Sequence, residues 1–210
     1  MKVTVIGAGN MGAAFVKQLT RAGHQVSVTA RSPEKALAVA AASAGAVAVT
    51  AANAATGADV LVLATGYADA VGALKSLGDL TGKVVVDITN PLTADYMGLT
   101  LGHSTSAAEE IAKAIPGAEV VKAFNTLFSQ VLTDGADFGN GQTVSVFVAS
   151  DSERAKQVVK TLAESMGFAT VDAGDLKNAR YLEPLAGLNI YLGYGAGQGT
   201  SIAPTWIKRA

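Results

Sequence analysis

The chain has no cysteine, which excludes disulfides, thiolate metal sites and cysteine nucleophiles together. It has no charge excess either. Its 16 Lys and Arg stand against 17 Asp and Glu, and a formal net charge of −1 argues against holding nucleic acid or an acidic membrane by bulk electrostatics. No apolar run approaches the roughly 18 residues of a spanning helix, and Lys2 leads at once into a strand-like run instead of a signal peptide. The expected setting is the cytoplasm, with no metal, nucleic-acid or membrane partner. There is no internal repeat, charge block or Pro/Ser-rich linker. What remains is 210 residues, 50% hydrophobic and 16% charged, enough for one well-buried domain with a small appendage.

Short β-branched runs alternate with alanine-rich helical stretches: KVTVI from Lys2, QVSVT from Gln25, AVAVT from Ala46, DVLVLA from Asp59 and KVVVDI from Lys83. Near-continuous hydrophobic strands separated by helix-length segments indicate an α/β fold, a Rossmann-type doubly wound, mostly parallel sheet covered on both faces. EVVKAF from Glu119, VSVFVAS from Val144 and ATVDAG from Ala169 are expected to continue that sheet. Between the last two, a helical period runs from Ser152 to a stop at Gly167. From Leu176 the pattern is helical but interrupted by Pro184 and followed by a glycine cluster, suited to a lid or a subunit contact. The expected division is a dinucleotide-binding unit over 1–174 and a small helical segment over 175–210.

The glycine loop VIGAGNMG follows the first strand and precedes a helix that Gly23 can stop. In that setting Gly7 permits the tight turn, Gly9 lets backbone approach a pyrophosphate, and Gly12 allows close helix–strand contact. The helix N-terminus, at Asn10 and Met11, offers free N–H groups to the anion. The competing reading is a tight turn without ligand. An NAD-specific fold places Asp or Glu at the end of the second strand, but here TARSPEK has no carboxylate before Glu34. Arg31, Ser32 and Lys35 instead offer a guanidinium, a hydroxyl and an ammonium for a 2′-phosphate, which favours NADPH over NADH.

GAGNMG, ARSPEKA, DITNP, KAFNT and DAGDLKNARYLEPLA, in this order over essentially the whole length, resemble the NADPH-dependent coenzyme F420 reductases. The cytosolic reductase domain of the STEAP metalloreductases is a relative of that group. The resemblance implies hydride transfer between NADP and a flavin-like ring held in a cleft between the Rossmann unit and a small C-terminal portion. It implies NADP contacts at Gly7, Gly9, Asn10, Met11, Gly12, Arg31, Ser32 and Lys35, then at Thr65, Gly66 and Tyr67, and at Asn90 and Pro91. It also sets Ala123, Phe124 and Asn125 beside the nicotinamide, and the helix carrying Leu185 and Leu188 against the acceptor. The chain departs from those reductases in the glycine loop at Ala8 or Gly9 and at NTLF, changes that bear on the acceptor. A homodimer and a small-molecule acceptor, F420 or a flavin, complete the expectation.

Transfer of hydride to a flavin-type ring needs stacking more than an acid, because the ring delocalises the charge it gains. Reduction of a small carbonyl or imine needs a proton donor instead. Few donors are present. His24 precedes the second strand as a turn residue, and His103 stands before a helix that Ser104 or Ser106 would cap with Glu109 as partner. Tyr67 can reach the cleft or simply pack at a helix start. Asn90 can bond a nicotinamide or close an Asx turn. Beside the flavin-type oxidoreductase stand two other readings, a carbonyl or imine reductase and a non-catalytic NADP sensor.

Overall fold

The computed structural model describes residues 1–139 and 141–207. Along the chain come β1 (Lys2–Ile6), α1 (Asn10–Arg21), β2 (Gln25–Thr29), α2 (Pro33–Ala41), β3 (Val47–Ala48) and α3 (Ala51–Ala54). They are followed by β4 (Val60–Leu63), α4 (Tyr67–Lys75), β5 (Val84–Asp87), α5 (Ala107–Ala114), β6 (Glu119–Lys122) and α6 (Ser129–Asp134). The six strands form one parallel sheet in the order β3-β2-β1-β4-β5-β6. In register, Val3 faces both Val26 and Val60, and Val60 faces Val84. The strand order reverses between β1 and β4, so the crevice outside their carboxyl ends is the place where such sheets bind ligands.

The period of two explains why these runs make a sheet covered on both sides. Val60 and Val62 belong to the core shared with Phe15, Val16 and Leu19 of α1. Leu61 and Leu63 belong to the opposite core, with Leu74 of α4 and Ile111 of α5. A run that is apolar at every position can satisfy both faces only in the middle of three layers. Each fully buried Val or Leu contributes about 1.5–3 kcal/mol relative to exposure.

The last two predicted strands do not extend this sheet. β7 (Ser145–Val148) and β8 (Ala169–Asp172) pair with each other in parallel as a separate ribbon, joined by α7 (Glu153–Ser165). The ribbon adjoins β6 through an antiparallel bridge between Lys122 and Ala149. A side chain takes part of what a strand would have taken: the Ser150 hydroxyl donates to the Val120 carbonyl at 2.8 Å. The helix itself follows its sequence signals. Ser152 caps α7 by accepting from the Ala155 N–H, and Gly167 ends it at φ +89°.

Pro184 does not interrupt the C-terminal helix. α8 (Ala179–Ile190) runs through it and continues into a wide π turn over Tyr191–Gly195. Of the expected C-terminal segment, residues 208–210 lie outside the described ones. A proline inside a helix forfeits one backbone bond, here to the Arg180 carbonyl. Tertiary ties offset that loss. Lys122 Nζ donates to Asp87 Oδ2 at 2.7 Å and to the Thr89 carbonyl at 2.6 Å, and lies 2.8 Å from Glu183 Oε1 of α8. Glu183 in turn accepts the Ala107 and Ala108 N–H groups at the start of α5, at 2.9 and 3.2 Å. Lys122 and Asp87 are fully buried, and Glu183 is 1% exposed.

This cluster yields a stability prediction. Lys122→Met removes the cation between two buried carboxylates and should cost about 3–5 kcal/mol, measured by urea unfolding. A loss below about 1 kcal/mol would mean that the carboxylates are not held by this ammonium.

Candidate functional site

The glycine loop closes on itself before any ligand is considered. Gly7 sits at φ +121° and donates its N–H to the Thr29 carbonyl at 2.8 Å. A Cβ at Gly7 would stand 2.3 Å from the Ala64 carbonyl oxygen, and one at Gly12 only 2.0 Å from the Gly7 carbonyl oxygen. Both glycines are required by backbone packing. Gly9 differs: a Cβ there would have nothing within 4 Å, so the opening over the start of α1 is free for an approaching group. Gly9 is also the N-cap of α1 and supplies no side-chain oxygen, and the first turn carries no acid. The N–H groups of the first turn, from Asn10 onward, are therefore open to an anion.

A second helix start stands on the other side of the strand reversal. Gly66 caps α4, again without a side chain, and the buried Thr65 hydroxyl has no hydrogen-bond partner among the described residues. The open space at Gly9, the uncapped N–H groups and the orphaned hydroxyl fit a dinucleotide phosphate and sugar chain. Arg31 projects into solvent with 88% of its side chain exposed, and its guanidinium lies 3.5 Å from Asp69 of α4. Ser32 caps α2, accepting from the Lys35 N–H at 3.3 Å and donating to Glu34 at 2.7 Å. Lys35 is exposed on the same turn.

Beyond the cradle, the carboxyl ends of β5 and β6 border a cleft of about 260 Å³. Asn10 and Met11 line one side, Asn90, Asn125 and Thr126 the floor, and Ala186, Asn189 and Ile190 of α8 the far wall. The rim carries Phe128 and Tyr194, stacked edge to face at 5.5 Å, and Tyr96. The floor is tightly built. Asn90 Nδ2 donates to the Asn125 carbonyl at 2.8 Å, and Asn125 Nδ2 donates back to Asn90 Oδ1 at 3.0 Å and to the Leu182 carbonyl at 2.9 Å. Asn189 Nδ2 donates to the Thr126 carbonyl at 3.0 Å. Asn125 Oδ1 and the Thr126 hydroxyl are buried and without a partner among the described residues. Phe124 precedes them at φ +60°, a conformation that costs a non-glycine residue about 1–3 kcal/mol and persists only when its surroundings impose it. The imposing contacts are Phe15 and Phe168, edge to face at 5.1 and 6.1 Å.

The structure thus gathers some of the sequence candidates and separates others. Asn10, Met11, Asn90 and Asn125 share the cleft, and Gly9 and Thr65 flank the strand reversal. Ala123 and Pro91 are buried and present no side-chain surface. The Asx turn in DITNP is made by Asp87, whose Oδ1 accepts the Thr89 N–H at 2.8 Å, while Asn90 braces Asn125. Leu185 packs with Phe147 and Leu182 and Leu188 is 54% exposed, so neither walls the cleft; Ala186, Asn189 and Ile190 do. Tyr67 begins α4 and packs against the Leu61 and Leu74 core. Burial, with Glu110, Glu183 and Asp87 nearby, pushes its phenol above the ordinary value, so it keeps its proton at neutral pH. His24 lies at the amino ends of the strands, bonded to the Ser165 hydroxyl at 2.8 Å, and burial lowers its pKa. His103 is exposed in the loop before α5 at φ +57°, and Ser106 caps that helix, accepting from the Glu109 N–H at 3.2 Å.

Sequence reasoning missed Lys122, Glu183, Thr126 and Asn189. A lysine directly after the apolar pair Val120–Val121 of a strand and before Ala123–Phe124, and a carboxylate on the buried face of a helix, were the available signals, since buried charges persist only when paired.

The family described as NADP oxidoreductase coenzyme F420-dependent matches residues 2–91, from the first strand through Pro91. The chain is 31% identical over 185 residues to Metalloreductase STEAP3 of Rattus norvegicus, covering 88% of this chain and 36% of that protein. It therefore spans about a third of that relative's length. It is 29% identical over 209 residues to the F420-dependent NADP reductase of Methanothermobacter marburgensis, covering 92% of that protein. Among solved structures, a candidate F420-dependent NADP-reductase from Arthrobacter sp. FB24 superposes with a TM-score of 0.84 at 32% identity, covering 96% of both chains. An imine reductase of Streptomyces aurantiacus superposes with a TM-score of 0.67 at 20% identity, over 93% of this chain and 64% of that one, a likeness of fold alone.

The two kinds of glycine in the loop should respond differently to substitution. Gly9→Val should leave the circular dichroism melting curve essentially in place while abolishing NADPH binding in a fluorescence titration. Gly12→Ala, which forces backbone apart, should lower the melting temperature as well. Tight NADPH binding by Gly9→Val would move the nucleotide elsewhere.

Proposed function

Because the chain belongs to the coenzyme F420-dependent NADP oxidoreductase family, we propose that it transfers hydride between NADP(H) and a flavin-type ring, F420, FMN or FAD. The observation that carries this reading is the composition of the cleft. Amides, hydroxyls and aromatic rings line it, and among the described residues no carboxylate, imidazole or cation does. Such walls suit a flat heteroaromatic ring, which needs orientation and hydrogen-bonding partners but no proton from an ionised side chain. The Asn125 Oδ1 and Thr126 hydroxyl groups are the unspent partners.

The first-turn N–H groups of α1 would hold the pyrophosphate, with Gly9 leaving the space. Thr65, Gly66 and Tyr67 would border the sugar chain, and Asn90 and Asn125 the nicotinamide end. Arg31, Ser32 and Lys35 would read the 2′-phosphate. The exposed Arg31–Asp69 pair is weak and exchanges readily for a phosphate, which a guanidinium binds more strongly. NADPH, when bound, supplies the hydride; the residues of this chain bind, orient and exclude water.

The same reading takes 1–174 as the dinucleotide-binding unit and 175–210 as a helical segment that completes the acceptor cleft. It includes a cytoplasmic homodimer. The exposed Tyr181, Leu188 and Tyr191 support a contact between copies. No helix among the described residues is long and apolar enough to cross a membrane.

Two measurements test it. Arg31→Ala should weaken NADPH binding about 10- to 100-fold and leave NADH nearly unchanged; equal losses would sink the phosphate assignment. Stopped-flow oxidation of NADPH against F420, FMN, FAD, ferric chelates and a carbonyl and imine panel should show turnover with a flavin-type ring, and Tyr67→Phe should slow it by less than about 10²-fold. Turnover of a ketone or imine alone, collapsing about 10⁴-fold in Tyr67→Phe, would establish the carbonyl or imine reductase instead. Tight NADPH binding with no acceptor would establish the sensor.

A further inference from the structure

The buried ion cluster does more than hold the chain together. Glu183, Ala186 and Ile190 stand at i, i+3 and i+7 of α8 and so share one face, with Asn189 beside them. The same face that binds Lys122 therefore becomes the far wall of the cleft one turn later. On the other side, Lys122 grips the Thr89 carbonyl, immediately before Asn90, and stands three residues before Asn125. Leu182, next to Glu183, accepts from Asn125. One ammonium thus joins the amide floor of the cleft to its helical wall.

Stability alone does not call for charge here. Apolar groups of equal volume often replace a buried ion pair at no cost. Three protons matched by three oxygens on β5, the turn after it and α8 do something apolar packing does not: they fix the rotation and height of a helix. The pyrophosphate cradle and the 2′-phosphate candidates are built from β1, α1, β2 and α2, and among the described residues they share no hydrogen bond with this cluster; of the nucleotide, the nicotinamide end alone would reach Asn90 and Asn125.

We propose that Lys122 and Glu183 are positioning residues for the hydride acceptor, their buried ion cluster with Asp87 setting α8 against the Asn90–Asn125 pair. Acceptor recognition depends on the cluster, and nucleotide affinity, which rests mainly on the phosphates, depends on it little. This rests on reading the cleft as the acceptor site.

Glu183→Gln tests it in the full chain. The amide keeps the volume, but its NH₂ must face either the Lys122 ammonium and the Ala108 N–H or the Ala107 N–H, donor against donor. The dissociation constant for NADPH should stay within about threefold, while KM for FMN rises about tenfold or more and amide exchange quickens together in α8 and at Ala107 and Ala108. An unchanged KM, or equal losses for FMN and NADPH, would overturn the proposal. If the variant does not fold, the wild-type protein decides. FMN should slow exchange at Ala107, Ala108 and α8 together, and by clearly more than NADPH alone does; FMN protection confined to the cleft residues, or equal to that by NADPH, rules the clamp out. If only a ketone or imine turns over, the flavin reading fails, and the same comparison of KM and exchange with that substrate still decides the positioning role. A chain with no acceptor at all refutes both.

Discussion

The arrangement of the whole carboxyl edge depends on where one buried ammonium finds its three oxygens. Lys122 ends β6, Asp87 ends β5, and Glu183 comes from a helix some sixty residues further along. A cation removed from water is tolerated only if every proton is matched, so these elements must meet in one relation or the cluster becomes a large penalty. Glu183 passes the constraint on to α5 through two backbone N–H groups. The C-terminal helix, which by its sequence is weakened by Pro184, stands where it does because of this contact and two side-chain bonds, from Asn125 to the Leu182 carbonyl of α8 and from Asn189 of α8 to the Thr126 carbonyl after β6.

Around that anchor the sheet separates two kinds of work. The strand reversal between β1 and β4 presents two helix starts, both capped by glycine and both without a side chain to satisfy their N–H groups. Unspent donors at the edge of a dry sheet are a standing attraction for phosphate. The next two strand ends present amides instead, braced against each other and carrying two unspent polar atoms. On the proposed reading, anion recognition and ring recognition fall to neighbouring parts of one edge. The strained Phe124 marks the junction, held by two aromatic neighbours from α1 and the turn after α7.

Shared fold is a weaker guide here than the site. The imine reductase likeness at 20% identity reflects a sheet order that many chemistries use. The family match ends at Pro91, before Asn125 and the wall of α8. The proposed acceptor wall therefore lies in the part of the chain where glycine fingerprints say nothing.

Much of the architecture was legible from the amino acids, because periodicity and turn chemistry are local. Val60 to Leu63 could only be a central strand, Ser152 and Gly167 bound α7, and the loop from Gly7 to Gly12 announced its turn. The sequence by itself determined the parallel sheet through its sixth strand and the tight glycine turn from Gly7 to Gly12. Tertiary structure alone decided the rest, since it depended on pairings between distant residues. It detached β7 and β8 into their own ribbon, carried α8 through Pro184, and turned Leu185 away from the cleft in favour of Ala186 and Asn189. It also paired Lys122 with Glu183 across more than sixty residues, a meeting that no local period encodes because each charge is stable only in the presence of the other.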